Sequence, residues 1–358
     1  MRGRRPGPAE LAGRELAADE KFLAGASSLL SDYLHLASRK TVVFVCDPRV
    51  KAVSIALAVI AARAGISVRT VSATKKWPVI REQLEDRCDA ALFLESGQSH
   101  HTRALRQYLK HDEGAPPAYR LFGATSETIR GGFRRKRAAL RRRNWDLIDA
   151  ARRAGRLAVR SDRGTRLEVG LDPATPWANT YGECADGYPG VLPPSEVNTR
   201  SADVEGVLVV DGAVGSNLGW PLDARLEGNP VTLRISRGKV TGVACRQRLV
   251  RDLVEEFLSL PQTNEVVEIG IGTNDGIPGF VPSDILLNER FASFHLGVGG
   301  ADARNPNQNL HLDFILGCCK LYFGNRLALA RGRFSRLPAA AVPNRRKYEV
   351  PVIMHDAL

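Results

Sequence analysis

Apolar positions recur with two different periods along this chain, and the change from one to the other divides it. Over residues 15–36 they return at helical spacing, and Thr41–Cys46 (TVVFVC) is an unbroken β-branched run of strand type. Asp47-Pro48 then carries helix-start chemistry, an acceptor side chain followed by a residue whose missing N–H is harmless in a first turn. A helix over 53–64, a strand over Ser67–Ser72, a helix over 78–85 and a strand over 90–95 follow. Strands alternating with helices need right-handed crossovers, so this half predicts a doubly wound parallel sheet. The basic, proline-containing residues 1–10 predict no regular structure.

Beyond Gly155 short segments of period two take over. Residues 157–161 and 167–170 flank Asp162-Arg163-Gly164 and read as a hairpin. Strands over 207–211, 231–236 and 240–246 follow, the last two joined by an Arg237-Gly238 turn. The chain is therefore expected to be α/β in class. An N-terminal doubly wound parallel-sheet (Rossmann-like) domain over 1–155 precedes a β-rich α+β metal-binding domain over 156–358.

Its length of 358 residues suits two domains, each large enough for its own core. No apolar run approaches the roughly 20 residues that cross a bilayer, and residues 1–20 lack the apolar stretch of a secretory signal. The six cysteines form no CxxC pair, which suits reduced thiols; a cytoplasmic location and no membrane partner are expected. Much of the net charge of +12 comes from residues 133–144, where seven basic side chains fall in a helix-compatible run. Without interleaved aromatics or a recognised nucleic-acid motif, that run reads as a solvated helix face, and a nucleic-acid partner is not expected.

Neither a GxGxxG after the first strand nor a GxxxxGK[ST] is present, so the first domain has no nucleotide fingerprint. Residues 96–102 (SGQSHHT) follow its third strand, at the carboxyl end where open α/β sheets place ligands. His100 and His101 are candidate catalytic groups there, or simply exposed helix-start residues.

The strongest chemistry lies in residues 264–314. The β-branched run 266–269 reads as a strand that Gly270, Gly272 and Gly276 break into a loop, leaving Glu268 at its end. Residues 293–298 alternate around His295, and in 310–314 a period of two puts His311 and Asp313 on one face with Leu310, Leu312 and Phe314 on the other. A lone histidine among apolar residues is more often a core residue. Three strand-like pieces that each supply a ligand type, and each run into a glycine-rich or polar loop, favour a metal site instead. Glu196 adds a carboxylate after the proline-stiffened turn 188–194.

In order, the segments LPPSEVNT around Glu196, EIGIGTN from Glu268, FHLG around His295 and HLD from His311 resemble the metal-site motifs of the thermophilic leucyl aminopeptidase (aminopeptidase T) family. The resemblance spans about 41–314, with specific motifs only in the second half. It implies a homodimer whose co-catalytic metals, two divalent ions of zinc, cobalt or manganese, are held by Glu196, Glu268, His295, His311 and Asp313. Glu268 would be shared between the ions and catalytic. The family's catalytic tyrosine falls seven residues after the histidine matching His295, where this chain has Asp302. Oxyanion stabilisation would then fall to a metal or to a donor such as His100, His101 or Tyr188.

The 2,5-dihydroxypyridine 5,6-dioxygenases look similar to the same scaffold, with histidine in place of Glu268. His295, His311 and Asp313 alone would suit one Fe(II). The expected function is a metallo-aminopeptidase-like hydrolase acting on a small peptide or amide. The alternatives are a non-haem iron ring-cleaving dioxygenase and a metal- or nucleic-acid-binding protein without turnover.

Overall fold

A computed structural model of the chain describes residues 7–96, 101–184, 187–216, 223–282, 285–299, 310–337 and 349–350. They form two compact units, one from Met1–Ala138 with Thr180–Pro194, the other from Ala139–Asn179 with Ser195–Leu358. The division falls inside the helix Arg137–Ala154 and not at Gly155. Packing explains the difference, because Trp145, Leu147, Ile148 and Ala151 of that helix belong to the core of the second unit.

The first unit is built on a parallel sheet in the order Ser67–Ser72, Thr41–Cys46, Ala90–Leu94, Ala118–Leu121, Gly190–Leu192. The strand Thr41–Cys46 is buried on both faces, as parallel sheets covered by helices require. Val42, Phe44 and Cys46 point into one apolar cluster, and Val43 and Val45 into another. The last strand comes from the stretch read only as a stiffened turn, so the chain returns to this sheet after the basic helix. Asp47 caps the short turn Pro48–Val50 as expected, accepting hydrogen bonds from the Arg49 backbone N–H (2.9 Å) and from Ser96 Oγ (2.6 Å). A helix, Pro8–Leu16, begins inside the stretch expected to lack structure. Glu20–Ser28 follows it, capped by Asp19.

In the second unit an eight-stranded antiparallel sheet runs Lys239–Ala244, Val231–Ser236, Val204–Val210, Arg166–Gly170, Arg156–Arg160, Lys320–Phe323, Arg326–Ala330, Arg333–Phe334. A seven-stranded sheet runs Ala213–Ser216, His311–Ile315, Phe294–Gly299, Val266–Gly272, Glu196–Thr199, Trp177–Thr180, Glu349–Val350. Apolar residues of both sheets and of the helix Arg248–Ser259 share one core. Both expected turns form. Arg160 pairs with Arg166 across the first, and the second places Arg237 and Gly238 at φ 48° and 69°, the left-handed pair of a tight hairpin. Among the described residues no helix is long and apolar enough to cross a membrane.

Candidate metal centre

Alternation along four neighbouring strands of the seven-stranded sheet sorts two kinds of side chain. Val197, Ile269, Ile271, Leu296, Leu312 and Phe314 enter the core. The opposite face carries Glu196, Asn198, Glu268, His295, His311 and Asp313, interleaved with glycines in the pairing register. Gly270 lies opposite both Asn198 and His295, and Gly297 opposite both Glu268 and Asp313. A Cβ on Gly270 would sit 1.9 Å from His295 Nε2, and one on Gly297 2.6 Å from His311 Cε1. The bare backbone is what gives each imidazole room to lie across the sheet.

This overturns the reading of Gly270 and Gly272 as strand breakers. The strand continues through Gly272, and Glu268 is in its interior. Ladder bonds outweigh the weak strand preference of glycine, because the neighbouring side chains fill the space that the missing one leaves.

A buried network sets the position of Glu196. Asn144, on the helix Arg137–Ala154, accepts from Ser195 Oγ (3.0 Å) and from Thr273 Oγ1 (2.6 Å), and donates to the Glu196 carbonyl (3.2 Å). The start of one site strand is thereby fastened to the end of its neighbour.

His295 Nε2 lies 3.0 Å from Glu196 Oε1 and 3.4 Å from Glu268 Oε1. His311 Nε2 lies 2.9 Å from Asp313 Oδ1 and 3.8 Å from Glu268 Oε2. Glu268 thus turns one oxygen toward each imidazole. Asn198 Nδ2 donates to Oε1 of both Glu196 (3.0 Å) and Glu268 (2.9 Å), and the Arg290 guanidinium rests on Glu196 Oε2. The side chains of His295 and Glu196 are 1% and 3% exposed, against 13% for His311 and 16% for Glu268, so the first two form a floor and the others a mouth. Burial lowers the His311 pKa, but the charge and hydrogen bond of Asp313, with the charge of Glu268, outweigh it and leave the imidazole above its usual value.

The donor set fits a divalent cation. One ligand atom each from Glu196, Glu268 and His295 lie within 4.8 Å of one another, and the 3.0 and 3.4 Å from His295 Nε2 to the two carboxylates are spans that a single ion with ligand distances of about 2.0–2.2 Å can bridge. Like-charged carboxylates brought this close inside a protein repel, and a cation removes the repulsion. His311 and Asp313 add a second imidazole and a third carboxylate beside them.

All five expected ligands therefore share one face. His101 belongs to the first unit, where its Nε2 is 2.9 Å from the Ala73 carbonyl and its ring lies against Trp77. The Tyr188 ring, also in the first unit, lies under the Arg106 guanidinium. His100 and Asp302 lie outside the described residues. Sequence reasoning missed Asn198 and Arg290. The period of two places Asn198 beside Glu196, whereas no spacing announces Arg290.

No protein-family model and no curated protein matches the sequence. Solved structures do match the fold. A 2,5-dihydroxypyridine dioxygenase from Pseudomonas putida KT2440 aligns with a TM-score of 0.60 at 17% identity, over 90% of this chain and 97% of that one. Wild-type AmpT from Thermus thermophilus aligns with a TM-score of 0.51 at 18% identity, over 88% of this chain and 98% of that one. At such identities the relationship is a distant one of fold, and it joins the two kinds of protein that the motifs resemble.

Proposed function

We propose that the chain is a divalent-cation-dependent hydrolase that removes an amino-terminal residue from a small peptide or amide. The observation that carries this reading is Glu268, a carboxylate set between two imidazoles where the ring-cleaving relatives are expected to have histidine. Glu196, Glu268, His295, His311 and Asp313 would hold the cation. A divalent ion bound there lowers the pKa of a coordinated water and polarises a substrate carbonyl. Glu268, at the mouth, can accept a proton from an attacking water and return it to the departing amine. The same reading takes the chain to act as a homodimer.

A second reading has one observation of its own. His295, His311 and Asp313 make a two-histidine, one-carboxylate set, which suits Fe(II) and oxygen chemistry. Loading metal-free protein in parallel with zinc, cobalt, manganese and, anaerobically, Fe(II) separates the two. Release of leucine from leucyl amides in the first three supports the hydrolase. Oxygen uptake with a dihydroxylated pyridine by the iron form alone, without amide cleavage by any form, replaces it with the oxygenase.

A further inference from the structure

The floor of the centre contains a cation supplied by the chain itself. A Cβ on Gly272 would lie 2.0 Å from the Phe291 carbonyl oxygen and 2.2 Å from that of Glu289. The bare glycine lets the backbone of 289–291 lie against the strand end, where the Arg290 carbonyl accepts from the Asn274 N–H (3.0 Å). Gly272 is also the residue paired with Glu196, so this close approach delivers Arg290 to that carboxylate. Its side chain is 4% exposed and contacts Glu196 Oε2, with Glu289 3.7 Å away. An arginine guanidinium keeps its charge in proteins, so Arg290 is a fixed cation here.

Two consequences follow. The carboxylates of Glu196, Glu268 and Asp313, with Glu289 beside Arg290, sum to four negative charges, and Arg290 leaves three, more than one divalent ion carries and fewer than two. A second divalent ion would leave the enclosed centre with excess positive charge, which low-dielectric surroundings oppose. In addition, Arg290 claims one oxygen of Glu196 and leaves only Oε1, the atom facing His295, for a metal.

We infer that Arg290 is a resident cation standing in for a second metal, so that this centre takes one divalent ion where the family resemblance implies two. The inference rests on the metal-centre reading above. Arg290 is a positioning residue in this account, acting through Glu196 and the charge of the centre.

Equilibrium dialysis of metal-free protein against Co2+ or Mn2+, with bound metal counted by mass spectrometry, tests it. Wild type and Arg290→Lys are expected to bind one ion per chain, and Arg290→Met two. The Mn2+ forms should show an isolated-ion electron paramagnetic resonance spectrum in wild type and an exchange-coupled pair in Arg290→Met. Two ions in wild type, or one in a folded Arg290→Met, would overturn the inference while leaving the metal centre intact. No ion in wild type would remove the centre itself. Should Arg290→Met fail to fold, as judged by circular dichroism, the counts for wild type and Arg290→Lys still decide between one ion and two.

Discussion

A single methyl group is enough to dismantle this centre. Gly270→Ala would place its Cβ 1.9 Å from His295 Nε2, and the imidazole must leave because the strand backbone cannot. Overpacking of this kind typically costs about 1–3 kcal/mol of stability. The loss of cation binding should be larger, at least tenfold in Kd by calorimetry, with the circular dichroism spectrum preserved. Unchanged affinity would show that His295 is not a ligand. The same glycines mark what the sequence disclosed and what it hid. Period two correctly put His311 and Asp313 on one face, and the same rule extends from Glu196 to Asn198. Gly270 and Gly272 were misread because glycine is commonest in loops, although glycine in a strand also signals close approach by another group. Arg290 was not legible, since it ends the short helix Ile285–Arg290, which reaches the sheet through tertiary packing that no periodicity records.

At the scale of elements, the basic run 133–144 is not the uniform solvated helix face its composition suggested, since the helix begins only at Arg137. Arg141 and Arg142 are exposed. Arg143 instead donates to both oxygens of Asp275 (2.7 and 3.1 Å) and to the Thr273 carbonyl (2.6 Å), and its guanidinium covers the Phe334 ring. Thr273 in turn belongs to the network that fastens Glu196. Changing Arg142 to Gln should leave thermal stability and turnover intact, and lower only the salt-sensitive retention on a nucleic-acid column. Arg143→Gln should cost about 1–3 kcal/mol, since it breaks hydrogen bonds to a charged group. Equal melting temperatures for the two variants would refute the distinction. In the first unit, the Asp47 carboxyl is held well below its usual range, chiefly by its hydrogen bonds with the Arg49 side chain and also by Ser96, against the opposing effect of burial. A depressed folded-state pKa contributes stability above the unfolded value of about 3.9 and loses it as the pH falls through the folded value. Asp47→Asn should therefore lower the melting temperature at pH 7, and the gap to wild type should begin to close below about pH 4. A gap that does not change with pH would show that Asp47 acts through shape alone.

Across the whole molecule, the alternation of strands and helices was enough to foretell the parallel sheet. Its last two strands were not foreseen: Ala118–Leu121 is a run of only four residues, and Gly190–Leu192 comes back to the sheet after the basic helix. That excursion and the helix shared with the second core are also why no composition shift marked the division. In the second unit the core is filled by the apolar faces of both sheets, and the ligand-type residues lie on the outer face of one of them. The cation should thus add to stability without being required for folding. A ligand that binds only the folded state stabilises it by RT ln(1 + [L]/Kd), about 2.7 kcal/mol at one hundred times Kd. For a unit of this size, that corresponds to a rise of roughly 5–10 °C in melting temperature. Calorimetry of metal-free wild type with and without Co2+ should show this rise. His311→Ala and Asp313→Ala should melt near the metal-free wild type and gain nothing from Co2+. Variants that are unfolded before heating would show that these side chains hold the sheet together. Variants that respond to Co2+ as wild type does would mean that the ion is bound elsewhere.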